Sequence, residues 1–129
     1  MDFLPNGKLF KVGTYSVEFN DILHINLPCT DIFQSAGLIT HIYKRHPHCV
    51  AYAAKISEII RNPDYIGINP NEPNSIELVK IFDKNILLAI KLDIDENYLY
   101  VASLFDINQK KIERRLNTGR IKRFHHGGT

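Results

Sequence analysis

The stretch ILLAIKLDIDENYLYVASLFDI, residues 86–107, decides the fold of this 129-residue chain. Two apolar runs flank the short link DEN, and the first run places five apolar side chains on one face: Ile86, Leu88, Ile90, Leu92 and Ile94. Alternation on either side of a turn is typical of an antiparallel hairpin. The run SIELVKIF, residues 75–82, joins it through DKN, so the second half of the chain is predicted to be an antiparallel meander.

The register of this hairpin determines what each face of the sheet carries. A three-residue loop at residues 95–97 places Ile94 opposite Tyr98 and puts Lys91, Val101 and Ser103 on one face. The opposite face is then predicted to pack on the helices. The face with Lys91 is predicted to be a shallower, partly polar surface that holds an extended substrate. A slip of one residue reverses this assignment.

The elements before and after the meander are predicted from shorter runs of sequence. KIERRL, residues 111–116, is predicted to be a fourth strand, in which Arg114 and Arg115 point to opposite faces, so at most one contacts a substrate. KLFKVGTYSV, residues 8–17, and DILHINLP, residues 21–28, are predicted to be strands. TDIFQS, residues 30–35, is predicted to be a short helical turn with Thr30 as its N-cap.

Two helices are predicted between these strands and the meander. Ser35 caps the first, residues 36–46, which Pro47 ends. The second, residues 48–61, has an apolar face made of Cys49, Ala53, Ile56 and Ile60. The whole pattern indicates an α+β domain in which N-terminal strands and two helices pack on one face of an antiparallel meander sheet.

Composition indicates one domain with a real core, since 44% of the residues are hydrophobic and 10% aromatic. We expect residues 1–124 to form it and residues 125–129 to be a flexible tail or a tag remnant. No run approaches the roughly 18 apolar residues of a membrane span, and MDFLPNGK does not resemble a signal peptide. A cytoplasmic protein that does not contact membranes is therefore expected. Cys29 and Cys49 match no zinc spacing and are predicted to be buried free thiols, with a disulfide as the alternative.

The charge of the chain is unevenly distributed. Residues 110–126 carry seven cationic side chains and one acidic side chain, a balance of +6, which leaves −4 for the rest of this +2 chain. Such a basic end is suited to binding phosphate backbones, and a solvated tail is the alternative interpretation.

The run GLITHIYKRHPHCV, residues 37–50, holds three of the six histidines and has three interpretations. Metal binding by His41, His46 and His48 fits poorly, because Pro47 breaks the helix between the ligands. A solvated basic helix end, favoured by the helix dipole, is the second. The third is acid–base catalysis on a phosphodiester, since His41 shares helix surface with Lys44 and Arg45 at i+3 and i+4.

Such acid–base chemistry suits RNA, whose ribose 2′-hydroxyl is an internal nucleophile. Cleavage then needs a base, an acid and positive charge, and it leaves a 2′,3′-cyclic phosphate and a 5′-hydroxyl. A two-metal nuclease would need a cluster of acidic ligands, which the sequence does not offer. No metal and no cofactor are therefore predicted.

Three stretches in order resemble the phage- and mobile-element-associated branch of the Barnase–EndoU–colicin–RelE-like (BECR) nucleases. They are GLITHIYKRH at 37–46, IIRNPDYIG at 59–67 and the hairpin at 86–107, and the resemblance covers about residues 8–116. It implies a BECR-like α+β domain that cleaves RNA, with tRNA as one candidate, by metal-independent 2′-hydroxyl transesterification. It also implies a toxin or effector role with an immunity or antitoxin protein as partner.

The resemblance further implies a set of site residues. His41 is the expected acid/base residue, with Lys44 beside it, His46 as the second histidine of the motif, and Ser103 at a hydroxyl position where threonine is usual. Arg45, beside His41, is expected to bind the substrate. Lys91, Tyr100, Arg114 and Arg115 are also expected to bind it, from their residue types and positions rather than from the resemblance. Ordinary structural roles remain open for these residues, such as core packing for the tyrosine and solvent exposure for the lysine.

Two other function classes remain open. The first is a non-catalytic RNA-binding or protein-interaction module, for example an inhibitor encoded by a mobile element, which would tolerate replacement of His41. The second is an enzyme that acts on DNA or uses a metal ion, which a chelator would inactivate.

Overall fold

The structure of residues 9–125 is described by a computed structural model. Its seven strands form one sheet with the order β1-β2-β6-β5-β4-β3-β7. In chain order the elements are β1 Leu9–Thr14, α1 Val17–Leu23, β2 Asp31–Ser35, α2 Leu38–Arg45, a 3₁₀ helix Pro47–Lys55, α3 Ile56–Arg61, β3 Tyr65–Gly67, β4 Ser75–Ile81, β5 Asn85–Asp93, β6 Tyr98–Asp106, α4 Gln109–Thr118 and β7 Ile121–Arg123. Strand pairs are antiparallel except β2 with β6. The predicted α+β class is confirmed.

The main core lies between one face of the sheet and the helices of the first half. Alternating residues of the meander supply the sheet side of this core, and the helices add Phe19, Ile42 and Ile59, all of them buried. Those sheet residues are Ile76, Leu78, Ile86, Leu88, Ile90, Leu99, Val101 and Leu104. Among residues 9–125, no helix has the length and apolar character needed to cross a bilayer.

The opposite face of the sheet is partly covered by α4. Ile112 of α4 is fully buried against Val79 and Leu87 of the meander. The prediction that KIERRL is a strand is therefore wrong, and so is the prediction that helices occupy one face only. The helix begins because the Asn108 side chain accepts a hydrogen bond from the Lys111 backbone N–H at 2.9 Å, and it ends at Gly119, which takes φ 82°.

Local capping also corrects the N-terminal predictions. Residues 17–23 are helical rather than extended, because Ser16 accepts from the Glu18 N–H and Phe19 and Leu23 share one buried face. Residues 31–35 form β2 rather than a helical turn. Ser35 does not cap α2, whose N-cap is Gly37 with no side-chain hydrogen bond. The second predicted helix is a 3₁₀ helix up to Lys55, followed by α3.

The hairpin register differs from the expected one. Asp93 pairs with Tyr98, and the loop has four residues, because Asn97 adopts φ 57° and the Asp93 side chain accepts from the Glu96 N–H at 3.0 Å. The register between β5 and β6 shifts by one residue at a β-bulge, where Ala102 is the extra residue on β6. Lys91 therefore pairs with Tyr100 and Ser103 with Ala89, all on one face, whereas Val101 lies in the core.

Both cysteines are free, but only Cys49 is buried, so the prediction of burial is wrong for Cys29. Of the predicted tail, His125 is exposed and residues 126–129 lie outside the described part of the chain.

Candidate active site

A groove of about 450 Å³ opens where β2 leaves the sheet and α2 begins. It is called the edge groove here, and its lining is Ser35, Gly37, Leu38, His41, Lys91, Tyr100, Val101 and Ala102. Three predicted site residues, His41, Lys91 and Tyr100, thus converge from one helix and two strands. Their roles stay predictions, but the structure brings the three side chains to one concave surface.

The sheet creates this groove by two local features. β2 pairs with β6 only at Leu99 and Tyr100, so within the described residues no strand pairs with the rest of β6 on that side. The bulge at Ala102 lies at the point where this pairing ends. Bulges bend a strand and redirect its side chains, and they are common beside active sites.

His41 lies at the edge of the buried stripe of α2. Leu38 and Ile42 are buried at 4% and 0% exposure, so they fix the helix on the sheet and leave His41 half-buried beside them. The neighbouring Lys44 and Arg45 are exposed and do not line the edge groove. An imidazole at this position can exchange a proton with a ligand in the groove.

Lys91 provides positive charge in the edge groove. Its Nζ lies 3.0 Å from the Glu72 Oε1, and this ion pair is partly exposed. Tyr100 is the cross-strand partner of Lys91 on the same face. An ammonium and a phenol hydroxyl side by side can both donate hydrogen bonds to a phosphate.

Aromatic rings continue from the groove along the same part of the sheet. Tyr98 lies 5.8 Å from Tyr100 and 6.1 Å from Phe33 between ring centroids. Burial raises the pKa of Tyr98 to about 12, so its hydroxyl remains protonated at neutral pH. Half-buried rings of this kind offer stacking surfaces for unpaired bases.

His46 lies at another place, near the C-terminal end of β6. Its ring stacks on Phe105 at 5.3 Å and lies 6.5 Å from the ring of His48. The interpretation of His41, His46 and His48 as three metal ligands is not supported. Within residues 9–125, the one group whose ligand atoms all lie within 4.8 Å of each other is His48, Cys49 and Asp106.

Ser103 and the predicted arginines have separate environments. Ser103 is half-buried on the face of Lys91 but does not line the edge groove. Arg114 is exposed on α4. Arg115 donates to Glu77 at 3.4 Å, and burial lowers the pKa of its guanidinium. Arg115 is therefore committed to an ion pair within the fold.

Sequence reasoning missed the charged centre around Glu77. This residue is 5% exposed, and Arg120 donates to both of its carboxylate oxygens at 3.2 Å. The signal was present, because Glu77 occupies an interior position of a strongly apolar strand, and a buried carboxylate requires a cation. The partners could not be named, since they lie 38 and 43 positions after Glu77 in the sequence.

The histidine, lysine and tyrosine of the edge groove are residue types that can bind a phosphate and exchange a proton with it. The chain belongs to the phage-Barnase-EndoU-ColicinE5/D-RelE like nuclease3 family, whose profile matches residues 10–114. This match covers most of the chain and includes every residue of the edge groove. No curated protein and no solved structure gives a significant match. The resemblance to BECR nucleases is confirmed.

Proposed function

We propose that this nuclease-family domain is a metal-independent endoribonuclease and that the edge groove is its active site. The observation that carries the proposal is the convergence of His41, Lys91 and Tyr100 on one open surface of about 450 Å³. These residue types supply a proton acceptor, a positive charge and a hydroxyl donor. Transesterification of RNA requires these three functions and no metal ion.

In the proposed reaction, His41 accepts the proton of the ribose 2′-hydroxyl as its oxygen attacks the adjacent phosphorus. The new bond joins the 2′-oxygen to phosphorus, and the bond from phosphorus to the 5′-oxygen breaks. Lys91 stabilises the charge of the pentavalent phosphorane, and Tyr100 donates its proton to the leaving 5′-oxygen. Proton exchange with solvent then returns His41 and Tyr100 to their starting forms. The products are a 2′,3′-cyclic phosphate and a 5′-hydroxyl.

The other predicted residues have smaller roles in this proposal. Lys44 and Arg45, both exposed on α2, attract the phosphates of flanking nucleotides. His46 and Ser103 lie outside the edge groove and take part in no chemical step. Arg114, exposed on α4, attracts RNA over a longer range in this proposal, whereas Arg115 pairs with Glu77 instead.

The biological setting is part of the same proposal. The family description names phage, colicin and RelE-like nucleases, which supports a toxin or effector that acts in the cytoplasm of the producing or target cell. Transfer RNA is a candidate substrate. An immunity or antitoxin protein is the expected partner, since a cell that makes such a nuclease must block it.

The test is incubation of the purified domain with total tRNA and rRNA in EDTA. We expect cleavage with 2′,3′-cyclic phosphate ends. His41→Ala should lower the rate by at least about 10²-fold, the typical contribution of acid–base catalysis. Lys91→Gln should lower it by about 10²–10³-fold, as loss of one charge-stabilising donor does.

Matched controls exist for both variants. His24→Asn replaces an exposed histidine outside the groove, at a left-handed position that asparagine tolerates, and Lys55→Gln replaces an exposed lysine. Both should cleave RNA at the wild-type rate. Intact RNA with every version, or equal cleavage by wild type and His41→Ala, would overturn the proposal. RNA binding without cleavage, unchanged in His41→Ala, would favour the non-catalytic module.

A further inference from the structure

Three potential metal ligands meet where the 3₁₀ helix contacts the C-terminal end of β6. His48 Nε2 lies 2.9 Å from Asp106 Oδ1, and the Cys49 thiol donates to the same oxygen at 3.6 Å. All three ligand atoms lie within 4.8 Å of one another. This arrangement is called the His48–Cys49–Asp106 cluster, and neither the groove nor the proposed reaction uses it.

We propose that the His48–Cys49–Asp106 cluster binds a zinc ion and that the ion fixes the 3₁₀ helix to the end of β6. The inference goes beyond the proposed function, because the cluster is separate from the groove. Ala102 and Asp106 are four residues apart on β6, or about 13 Å at the usual strand rise.

The ligand distances favour this proposal. Zinc–ligand bonds of about 2.0 Å to nitrogen and oxygen and about 2.3 Å to sulfur imply ligand atoms about 3.3–3.6 Å apart in a tetrahedral site. The two contacts to Asp106, at 2.9 and 3.6 Å, already lie near that range. The two contacts to Asp106 would change by a few tenths of an ångström, and the distance between the His48 and Cys49 ligand atoms, which lie within 4.8 Å, would have to become about 3.5 Å.

The hydrogen bonds of the cluster indicate where the ion binds. Without metal, the Cys49 S–H points at Asp106, and an N–H of His48 accounts for the other short contact. Zinc binding would release the thiol proton of Cys49 and would require His48 Nε2 to be unprotonated, with the ring proton on Nδ1, which leaves a thiolate, a carboxylate and a neutral imidazole. The two negative charges then match the charge of the ion, so no net charge remains at this partly buried position.

The chemical types of the three ligands favour zinc over other metal ions. A thiolate with an imidazole favours zinc over magnesium or calcium, which prefer oxygen ligands. Cys49 is fully buried, but the His48 and Asp106 side chains are 53% and 35% exposed, so a solvent molecule can take the fourth position. The site would thus connect residues that are 57 and 58 positions apart in the sequence.

The experiment measures zinc uptake by the full chain after treatment with chelator, in the absence of RNA. Equilibrium dialysis gives the stoichiometry, and cobalt substitution reports thiolate ligation through its charge-transfer absorption. His125 and His126 are changed to Ala in every version, so that this pair does not contribute. The variants are His48→Gln, Cys49→Ser and Asp106→Asn, and Cys29→Ser is the control for the other thiol.

The expected result is one zinc ion per chain for the parent and for Cys29→Ser, with a thiolate band in the cobalt form. Each of the three cluster variants should lose at least tenfold in affinity. His48 is exposed, so His48→Gln keeps the fold and remains informative if Cys49→Ser unfolds. No uptake by the parent, or equal affinity in the parent and His48→Gln, would overturn the proposal.

Discussion

At the scale of single residues, Glu77 is the one charged residue that is buried among residues 9–125. Its carboxylate is buried on β4 and accepts hydrogen bonds from Arg115 and Arg120. Removing a charge from water is costly, and paired hydrogen bonds offset this cost only while both partners are present. Glu77 therefore fixes α4 and the loop after it against the sheet.

Replacing Glu77 with Gln should lower the free energy of unfolding by about 3–5 kcal/mol, because it leaves two partly buried guanidinium groups without a counter-charge. Urea denaturation at neutral pH measures this change. Glu113→Gln, on the exposed side of α4, is the control and should change stability by less than about 0.5 kcal/mol. Similar stabilities of the two variants would contradict the assigned role of Glu77.

Residue types alone predicted part of the candidate site. His41 follows from the helix pattern and Lys91 from alternation in the hairpin, whereas the predicted register places Tyr100 on the opposite face and only the observed register brings it to Lys91. Lys44 and His46 were grouped with His41 because they are near it in sequence. Their separation depends on where β2 leaves the sheet and on the turn at Pro47, which bring His46 to Phe105 instead. Such long-range placement cannot be read from local spacing.

At the scale of elements, alternation predicted β4, β5 and β6 well, because a half-buried strand must repeat every two residues. Short charged segments were harder to assign. KIERRL suits a strand by alternation, yet Ile112 and Leu116 are also spaced at i and i+4, and the Asn108 cap favours the helix. Capping residues therefore provided better evidence than periodicity for segments of this length.

Gly67 is required by the close approach of β3 to β7. A Cβ there would overlap the Arg120 carbonyl oxygen and the Ile121 side chain. Gly67→Ala should therefore lower the free energy of unfolding by about 1–3 kcal/mol, the usual cost of overpacking. Thermal and urea denaturation would measure this loss.

Gly37→Ala provides the matched control, because a Cβ at that position meets only the Ser35 hydroxyl, at 4.0 Å. Its stability should stay close to that of the wild type. If Gly67→Ala were as stable as Gly37→Ala, the close packing of β3 on β7 would be wrong.

At the scale of the whole molecule, the basic end is part of the fold up to β7 rather than a solvated tail. Arg115 and Arg120 pair with Glu77, and Arg123 lies over the ring of Tyr65 at 5.5 Å. Exposed positive charge on α4 remains at Lys110, Lys111 and Arg114. These three side chains are free to attract a polyanion.

Stability should also depend on pH through the His48–Cys49–Asp106 cluster. The hydrogen bond with His48 lowers the pKa of Asp106 in the folded state. The stabilising effect of this hydrogen bond is therefore complete above the pKa of Asp106 in the unfolded chain, about 3.9. It is lost as the pH falls through the lower pKa of Asp106 in the folded state. The stability advantage of wild type over Asp106→Asn should shrink between about pH 5 and pH 3.

Urea midpoints in chelator at several pH values would test this expectation. Asp95→Asn, in the exposed hairpin loop, controls for the general effect of removing a carboxylate. A difference between wild type and Asp106→Asn that did not change with pH would show that the hydrogen bond contributes nothing in this range.

The two outer strands of the sheet have a consequence for behaviour at high concentration. β1 carries a bulge at Val12 and the exposed Lys11, and β7 is only three residues long, with Lys122 and Arg123 exposed. Bulges, short length and lysines on outer strands all hinder the pairing of one sheet with another. Neither of the two edge strands, β1 and β7, is a good template for pairing with a further strand. We therefore expect concentrated samples to resist fibril formation.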